Sequence, residues 1–358
     1  MKQSSNMEIA RRIDDWWSIA KYDVLTDPFG RMAKAALFQI GIPGAGAALD
    51  TYSAIASAEQ AITAKTGILG LASAFTARLT MARFFIAGFA NKDQCDTWLP
   101  RVAAGQTCVA VAVSEPGAGA HPKRLQTIAE PRQGGFMIHG RKAWVTNGPI
   151  ADIFLVLAVT AVEDERERYG LFLIPREMPG LIVKQMPVLD ALAPGSHCEL
   201  EFDGCEVPAT ARIGDMPEAY PAMALPFRDV EDTIGTANVC GFLSWQLENS
   251  AAHIAQSEDN ASRLGRIAGL VSLVHAASRL AVAALDGEGQ EDPARIIGVR
   301  QLAHDIVDEI CDLLPSDGAK DDVIGRELAA HDLLSTIARE SRKVRQIRLG
   351  NSLWSEKQ

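Results

Sequence analysis

From Ile9 to about Gly105, apolar residues recur at the three- and four-residue spacing of an amphipathic helix, and alanine is abundant. The marked breaks in this pattern are Asp27-Pro28 and Ile42-Pro43-Gly44, where proline and glycine favour turns. The pattern therefore predicts a helical N-terminal domain over residues 1–106.

Between Cys108 and about Asp215 the pattern changes to short runs rich in valine, isoleucine, phenylalanine and threonine, bounded by turn-forming residues. The predicted strands are Phe136–Ile138, Ala143–Thr146, Ile153–Thr160, Leu171–Ile174, Leu181–Met186 and Cys198–Phe202. Short strands at this spacing are typical of a compact antiparallel β-barrel, which we assign to residues 107–216.

Helical periodicity returns after Pro226 in four long stretches with short connectors. They are Val230–Ala255, Ala261–Leu285, Ala294–Leu314 and Val323–Ile347. Such stretches are typical of an antiparallel four-helix bundle, here over residues 217–358. Helices, then strands, then helices indicate an α+β fold that is mostly α. Because no strand-borne G-x-G-x-x-G occurs, a Rossmann-type cofactor site is disfavoured.

The 358 residues carry a formal net charge of -10 at pH 7, which argues against nucleic acid as a partner. The six cysteines are scattered without a C-x-x-C pair, so we expect no metal site. Charged residues interrupt the apolar stretches around Gly67–Ala90 and Ile150–Val162, and we expect no membrane span. The N-terminus lacks the apolar core of a secretory signal, which predicts a cytoplasmic protein.

Two segments of the predicted barrel carry candidate chemistry. Val109–His121, VAVAVSEPGAGAH, is an apolar strand running into a glycine-rich turn, where Ser114 supplies a hydroxyl and the backbone can approach a ligand. Gly140–Asp152, GRKAWVTNGPIAD, places Trp144 and Thr146 two apart, on one face of a strand. A ring and a hydroxyl on one face can hold a planar heterocycle. Taken singly, a flexible loop and a core tryptophan are the plainer interpretations.

Together, in this order and spacing, the two segments resemble the signature of the acyl-CoA dehydrogenase family, T-E-P-x-A-G-S-D followed by G-x-K-x-W-I-T-N-G. Trp98–Gln106 (WLPRVAAGQ) is similar to the family's W-L-P-x-L-A-x-G-E, and Cys198–Pro208 (CELEFDGCEVP) is similar to its L-x-F-D-x-V-x-V-P. The resemblance spans the chain and is strongest in the middle third.

The resemblance implies an FAD-dependent dehydrogenase of acyl-CoA or acyl-carrier thioesters, assembled as a homodimer or homotetramer. Its electron partner would be an electron-transfer flavoprotein or a similar acceptor. The resemblance further implies that Ser114 contacts the pyrimidine side of the flavin, Trp144 packs against the ring and the Thr146 hydroxyl bonds near N5. The other implied residues are Val113, Gly119 and Val145 for the cofactor, and Ala120 and His121 for the substrate.

The catalytic base is the residue on which the family divides. Most members place a glutamate near the C-terminus, in Y-E-G-T-S, where this chain has Leu349 in VRQIRLGNS. The isovaleryl and long-chain types place it instead at the start of the first bundle helix, and Glu231 stands there in Asp-Val-Glu-Asp. We therefore predict that Glu231 is the base, with Glu340 a weaker candidate. The alternative is that Glu231 only complements the dipole of a helix N-terminus.

Several positions depart from the family pattern. Ile254–Gly265, IAQSEDNASRLG, stands where members carry the R-x-x-F-G motif that holds the FAD pyrophosphate across subunits, and Ala120-His121 replaces Ser-Asp. The family's Q-x-x-G-G-x-G turn is reduced to Asp322–Arg326. These departures leave two further hypotheses. One is a catalytically degenerate subunit of a heterotetramer with a homologous chain, and the other is a flavin-dependent monooxygenase on the same scaffold, which needs no α-proton base.

Overall fold

The computed structural model describes residues 2–44, 49–117, 119–120, 124–187, 189, 192–214, 218–315, 323–336 and 339–355. Its α-helices are α1 (Lys2–Ala20), α2 (Pro28–Lys34), α3 (Tyr52–Thr66), α4 (Leu69–Met81), α5 (Lys92–Ala103), α6 (Leu225–Ala251), α7 (Glu258–Leu285), α8 (Pro293–Leu313), α9 (Val323–Thr336) and α10 (Arg339–Ser355). A π-helical turn, Ala82–Ala87, extends α4, and another, Tyr220–Ala224, leads into α6.

The last predicted helix, Val323–Ile347, is helical at every described residue, as α9 and α10, and residues 337–338 between these two helices lie outside the described residues.

Eight strands lie between α5 and α6 in the described part of the chain. They are β1 (Val109–Ala112), β2 (Ile128–Arg132), β3 (Gly135–Thr146), β4 (Ile153–Glu163), β5 (Arg166–Pro175), β6 (Leu181–Gln185), β7 (His197–Pro208) and β8 (Arg212–Ile213). They form one sheet in the order β6-β7-β3-β2-β4-β5-β8, with β1 paired to β4.

The α+β fold class is confirmed, but the sheet is mixed and not purely antiparallel. β1 runs parallel to β4 with Val109 opposite Ile153, and β2 meets the far end of β4 in parallel at Ile128 and Val159. The other ladders are antiparallel. β4 is buried from Ile153 to Val159, as a central strand flanked on both sides must be.

The sheet core consists of side chains from the inner face of these strands. Its fully buried members include Phe154, Val156, Phe172, Ile174, Val145, Cys198 and Leu200. Val145 and Cys198 are directly opposite each other on β3 and β7. The core therefore lies directly beneath the segment of β3 that carries the candidate chemistry.

The chain forms two compact units. The first comprises Met1–Ala54 and Ala74–Glu231, and the second comprises Ile55–Ser73 and Asp232–Gln358. The three-domain division stays a prediction. In the second unit, residues 55–73 from the N-terminal part of the sequence join the C-terminal helices.

Close backbone packing joins α3 to α6 within the second unit. A Cβ at Gly241 would collide with the Gln60 carbonyl oxygen, so glycine permits the approach. Thr63 Oγ1 donates to Asn238 Oδ1 at 2.6 Å, and Asn238 Nδ2 donates to Ser73 Oγ at 2.7 Å. Residues 55–73 are therefore part of the core of this unit.

Two helical stretches among the described residues are long and apolar enough to cross a membrane by length and composition alone. In Leu69–Ala87 78% of the most apolar window is buried, and in Glu258–Leu285 33% is buried. Core helices meet the same criterion, so the expectation of no membrane span stays a prediction.

Candidate functional site

A buried ion pair holds together the backbone segments that form the predicted site. The Lys142 side chain, on β3, is fully buried, and its Nζ donates to Glu115 Oε1 at 2.8 Å and to the Val113 carbonyl at 3.1 Å. Glu115 also accepts from the backbone N–H groups of Gln126 at 2.6 Å and Thr127 at 2.9 Å. One carboxylate thus connects the loop after β1 to β3 and to the approach to β2.

Burial and charge act in opposite directions on this pair. Burial lowers the pKa of Lys142 to about 8, although the facing Glu115 opposes the shift. For Glu115 burial would raise the pKa, but the Lys142 charge and the hydrogen bonds outweigh it and hold the pKa below its usual value. Both groups are therefore ionised at neutral pH.

Backbone hydrogen bonds fix the described residues of the loop after β1. The Ser114 carbonyl accepts from the Ala143 N–H at 2.9 Å, which places half-buried Ser114 beside the next residue along β3, Trp144. Glu115 and Gly119 exchange backbone bonds of 2.9 and 3.0 Å, and Gly119 is exposed with a φ of 58°. The Ala120 carbonyl accepts from Tyr220 Oη at 3.0 Å. His121 lies outside the described residues.

Trp144 projects from a β-bulge. The register of β3 and β7 shifts between Lys142 and Val145, and Trp144 itself has a left-handed φ of 59°, which is rare for a bulky residue. Its side chain is 55% exposed, Val145 is fully buried and Thr146 is half-buried. Trp144 and Thr146 thus lie on either side of Val145, whose side chain belongs to the core. Val145 can contact a ligand only through its backbone.

His197 is a member of this surface that the sequence did not reveal. It lies directly opposite Thr146 on β7, so the two side chains share a face. Its ring meets the Trp144 ring edge-to-face, with centroids 5.9 Å apart and planes at 70°. Burial lowers the pKa of His197, so the imidazole is neutral at pH 7. Its only signal in the sequence is its place immediately before the CELEFDGCEVP stretch.

Asn147 and Gly148 hold the end of β3 in place. Asn147 is buried with a left-handed φ of 60°, and its Nδ2 donates to the Ala74 carbonyl at 2.8 Å. A Cβ at Gly148 would collide with Cys198 Sγ. The Asn-Gly pair is therefore a packing requirement as well as a turn.

The structure separates two adjacent carboxylates on α6. Glu231 is exposed about two turns beyond the first residue of the helix, which has no acidic residue in its first turn. The helix-dipole interpretation of Glu231 therefore loses its basis, because that effect falls off within the first turn. No other observation tests Glu231 as base, and the role stays a prediction.

Asp232, by contrast, is enclosed by three arginines of the second unit. Arg300 Nη2 lies 2.7 Å and Arg342 Nε 3.3 Å from Oδ1, and Arg345 Nη1 lies 2.5 Å from Oδ2. Burial would raise the pKa of Asp232, but the arginine charges outweigh it and hold the pKa below its usual value. Asp232 is therefore a fixed anion that connects α6 to α8 and α10.

The alternative position for a base contains no carboxylate. Leu349 is half-buried within α10, which includes the whole stretch Val344–Ser352. The side chain of Glu340, the weaker candidate, lies outside the described residues.

The middle of the chain matches a known family. The family model described as Acyl-CoA dehydrogenase, middle domain, matches residues 110–205, which include Ser114, Lys142, Trp144, Thr146 and His197. Over these residues the chain is similar to the middle domain of acyl-CoA dehydrogenases.

Individual relatives in this family match about half of the chain. It is 28% identical over 194 residues to an acyl-CoA dehydrogenase of Bacillus subtilis, which is 53% of this chain and 50% of that protein. It is 31% identical over 146 residues to an L-prolyl-[peptidyl-carrier protein] dehydrogenase of Serratia sp., 41% of this chain and 38% of that protein. The chain thus spans half or less of these relatives' own length.

A solved structure extends the likeness to most of the fold. The FAD complex of PigA is similar with a TM-score of 0.80 and 22% identity, over 92% of each chain. The two proteins share a fold.

The structure describes part of the two stretches that depart from the family's cofactor motifs. Within Ile254–Gly265, Ser257 caps α7 and accepts from the Asn260 N–H at 3.1 Å, and Glu258 and Asp259 occupy the first turn. Acidic residues there complement the helix dipole and repel a pyrophosphate. Asp322 lies outside the described residues, and Val323 begins α9.

Proposed function

We propose that this chain binds FAD and dehydrogenates an acyl thioester between its α and β carbons. The observation that carries the proposal is Trp144, a tryptophan more than half exposed at the end of a strand whose next residue is fully buried. An exposed indole held in a left-handed bulge beside a hydroxyl fits the planar, hydrogen-bonding flavin ring.

The chain's own residues would act as follows. Trp144 stacks on the ring, Thr146 supplies a hydroxyl to its polar edge, and the Ser114 loop bonds its pyrimidine side. When bound, FAD supplies the acceptor for the hydride that leaves the β carbon. Glu231 takes the proton from the α carbon, whose acidity the thioester carbonyl raises. The two C–H bonds are replaced by a C=C bond.

We leave the thioester's carrier as either CoA or a carrier protein, since relatives of both descriptions match this chain. Both carriers present the same pantetheine thioester, and the reacting atoms are the same. An electron-transfer flavoprotein or a similar protein would accept the electrons.

We also propose a homo-oligomer. Supporting this, α7 exposes Leu273 to 62% and Leu280 to 58%, two turns apart on one side of the helix. Exposed leucines aligned on a helix favour burial against another surface.

The absorption spectrum of the purified chain tests the function. We expect a flavin band that bleaches when a substrate thioester is added without oxygen. The substrates are a series of acyl-CoAs and, in parallel, acyl and prolyl carrier proteins, which separates the two carriers. A flavin band that no thioester bleaches would contradict the dehydrogenase.

A second candidate is the degenerate subunit of a hetero-oligomer, which the acidic first turn of α7 favours. It predicts a colourless chain when purified alone and a yellow complex when a homologous chain is co-expressed. Yellow protein from the single chain would contradict this candidate.

A further inference from the structure

The backbone of Trp144 is fixed from both sides, whereas its ring is exposed. On one side Lys142 is anchored to Val113 and Glu115, and on the other Val145 is fully buried. The anchored positions of Lys142 and Val145 therefore fix the point at which the Trp144 indole projects from β3. Among the described residues, His197 is the aromatic side chain in ring contact with it.

We propose that His197 is a positioning residue of the flavin site, whose edge-to-face contact orients the Trp144 indole for stacking on the cofactor. This inference rests on the proposed binding of FAD. An exposed side chain that is free to rotate must be immobilised when a ligand binds, and that loss of freedom weakens binding. A ring already held in place avoids this loss.

The imidazole acts here by its shape and not by charge. Its partner is the aromatic ring of Trp144, and burial keeps it neutral at pH 7. Another aromatic side chain at position 197 would therefore preserve the contact, whereas a methyl group would not.

Equilibrium dialysis of FAD against the full chain, freed of flavin, measures the effect. We expect His197→Ala to weaken binding about three- to tenfold, and His197→Phe to stay within about twofold of wild type. His304→Ala is the matched control, because His304 is an exposed histidine on α8, and it should bind FAD as wild type does.

A second measurement separates positioning from general loosening of the sheet. In a Trp144→Ala background there is no indole to orient, so adding His197→Ala should change FAD affinity by less than about twofold. Equal weakening in both backgrounds would overturn the proposal, as would a His197→Ala chain that binds like wild type. Wild-type chain that binds no FAD would instead overturn the proposed function, and this inference with it.

Discussion

Trp144 is held in a conformation that costs free energy. A left-handed backbone at a non-glycine residue costs on the order of 1–3 kcal/mol and persists where the surroundings impose it. Here the surroundings are the bulge in β3 and the anchors on either side of it. The ring gains little from folding because it is more than half exposed. Backbone strain at a residue whose side chain stays exposed is typical of a position that binds a ligand.

Two substitutions separate strain from ring contact at this position. We expect Trp144→Gly to be about 1 kcal/mol more stable than Trp144→Ala in urea unfolding, because only glycine adopts a φ of 59° without steric cost. Both variants should lose most of their FAD affinity, measured by equilibrium dialysis. Equal stability of the two would show that residue 144 is unstrained.

The buried pair of Lys142 and Glu115 supports a second prediction. Lys142→Met should lower the free energy of unfolding by about 3–5 kcal/mol, because Glu115 is left as a buried charge without its cation. The double variant Lys142→Met/Glu115→Gln should lose less than the sum of the two single variants. Urea unfolding of all four proteins measures this, and strictly additive losses would contradict the coupling.

Local sequence was enough for part of this site. Trp144, Thr146 and Ser114 fall within two short motifs, so their proximity could be predicted from the family resemblance. His197 could not be, because it reaches Thr146 only through the pairing of β3 with β7. The register between strands that are far apart in the sequence depends on core packing. Here a β-bulge between Lys142 and Val145 also shifts the register.

At the scale of elements, the connection of α6 to α8 and α10 depends on the carboxylate of Asp232. Asp232→Asn should lower the free energy of unfolding at pH 7 by about 2–3 kcal/mol, because three partly buried arginines lose their shared anion. The folded-state pKa of Asp232 lies below the unfolded value, so its contribution is present above about pH 4 and is lost as pH falls further.

Urea unfolding between pH 7 and pH 3 checks both parts of this prediction. The difference between wild type and Asp232→Asn should shrink on acidification. A difference that stays constant down to pH 3 would mean that Asp232 does not titrate with folding.

The neighbouring Glu231 carries a prediction of a different kind. Glu231→Gln should keep the flavin band but slow its bleaching by roughly 10²–10⁴-fold, because the amide cannot accept the α proton. Glu248→Gln, at another exposed glutamate of α6, should bleach at the wild-type rate. Stopped-flow absorbance measures both. Wild-type kinetics in Glu231→Gln would remove it as the base.

Element boundaries followed hydrophobicity where it was strong. The buried run of β4 was predicted almost to its ends, as was α7, whereas the predicted strand Leu171–Ile174 covers only the later part of β5. β2 was missed, because its sequence IAEPR contains a proline and two charged residues, which resemble a loop. The two predicted strands Phe136–Ile138 and Ala143–Thr146 are one strand, β3, because its bulges hide the continuity.

For the whole molecule, the exposed leucines of α7 predict assembly. We expect the double substitution Leu273→Lys/Leu280→Lys to shift the mass measured by light scattering from an oligomer to a monomer, because lysines at both positions oppose burial. Val162→Lys, at a similarly exposed apolar residue in β4, is the control. A variant that keeps the wild-type mass would place the interface elsewhere.

The three domains were predicted from changes of pattern along the sequence, whereas the two compact units are defined by packing. Helical periodicity alone gave no reason to separate residues 55–73 from the rest of the N-terminal helices. Their partners, among them Gly241 and Asn238, lie in α6, and such long-range pairings leave no mark in local sequence.

The hydrogen bond between Thr63 and Asn238 joins residues that are synthesised at different times. Thr63 leaves the ribosome 175 residues before Asn238, which at about 5–20 residues per second is a delay of roughly 9 to 35 seconds. Ile55 and Ile62, whose side chains are buried in the finished protein, are also synthesised before α6. Until α6 emerges, Thr63 and Ser73 therefore lack the hydrogen-bond partner that Asn238 provides in the folded protein.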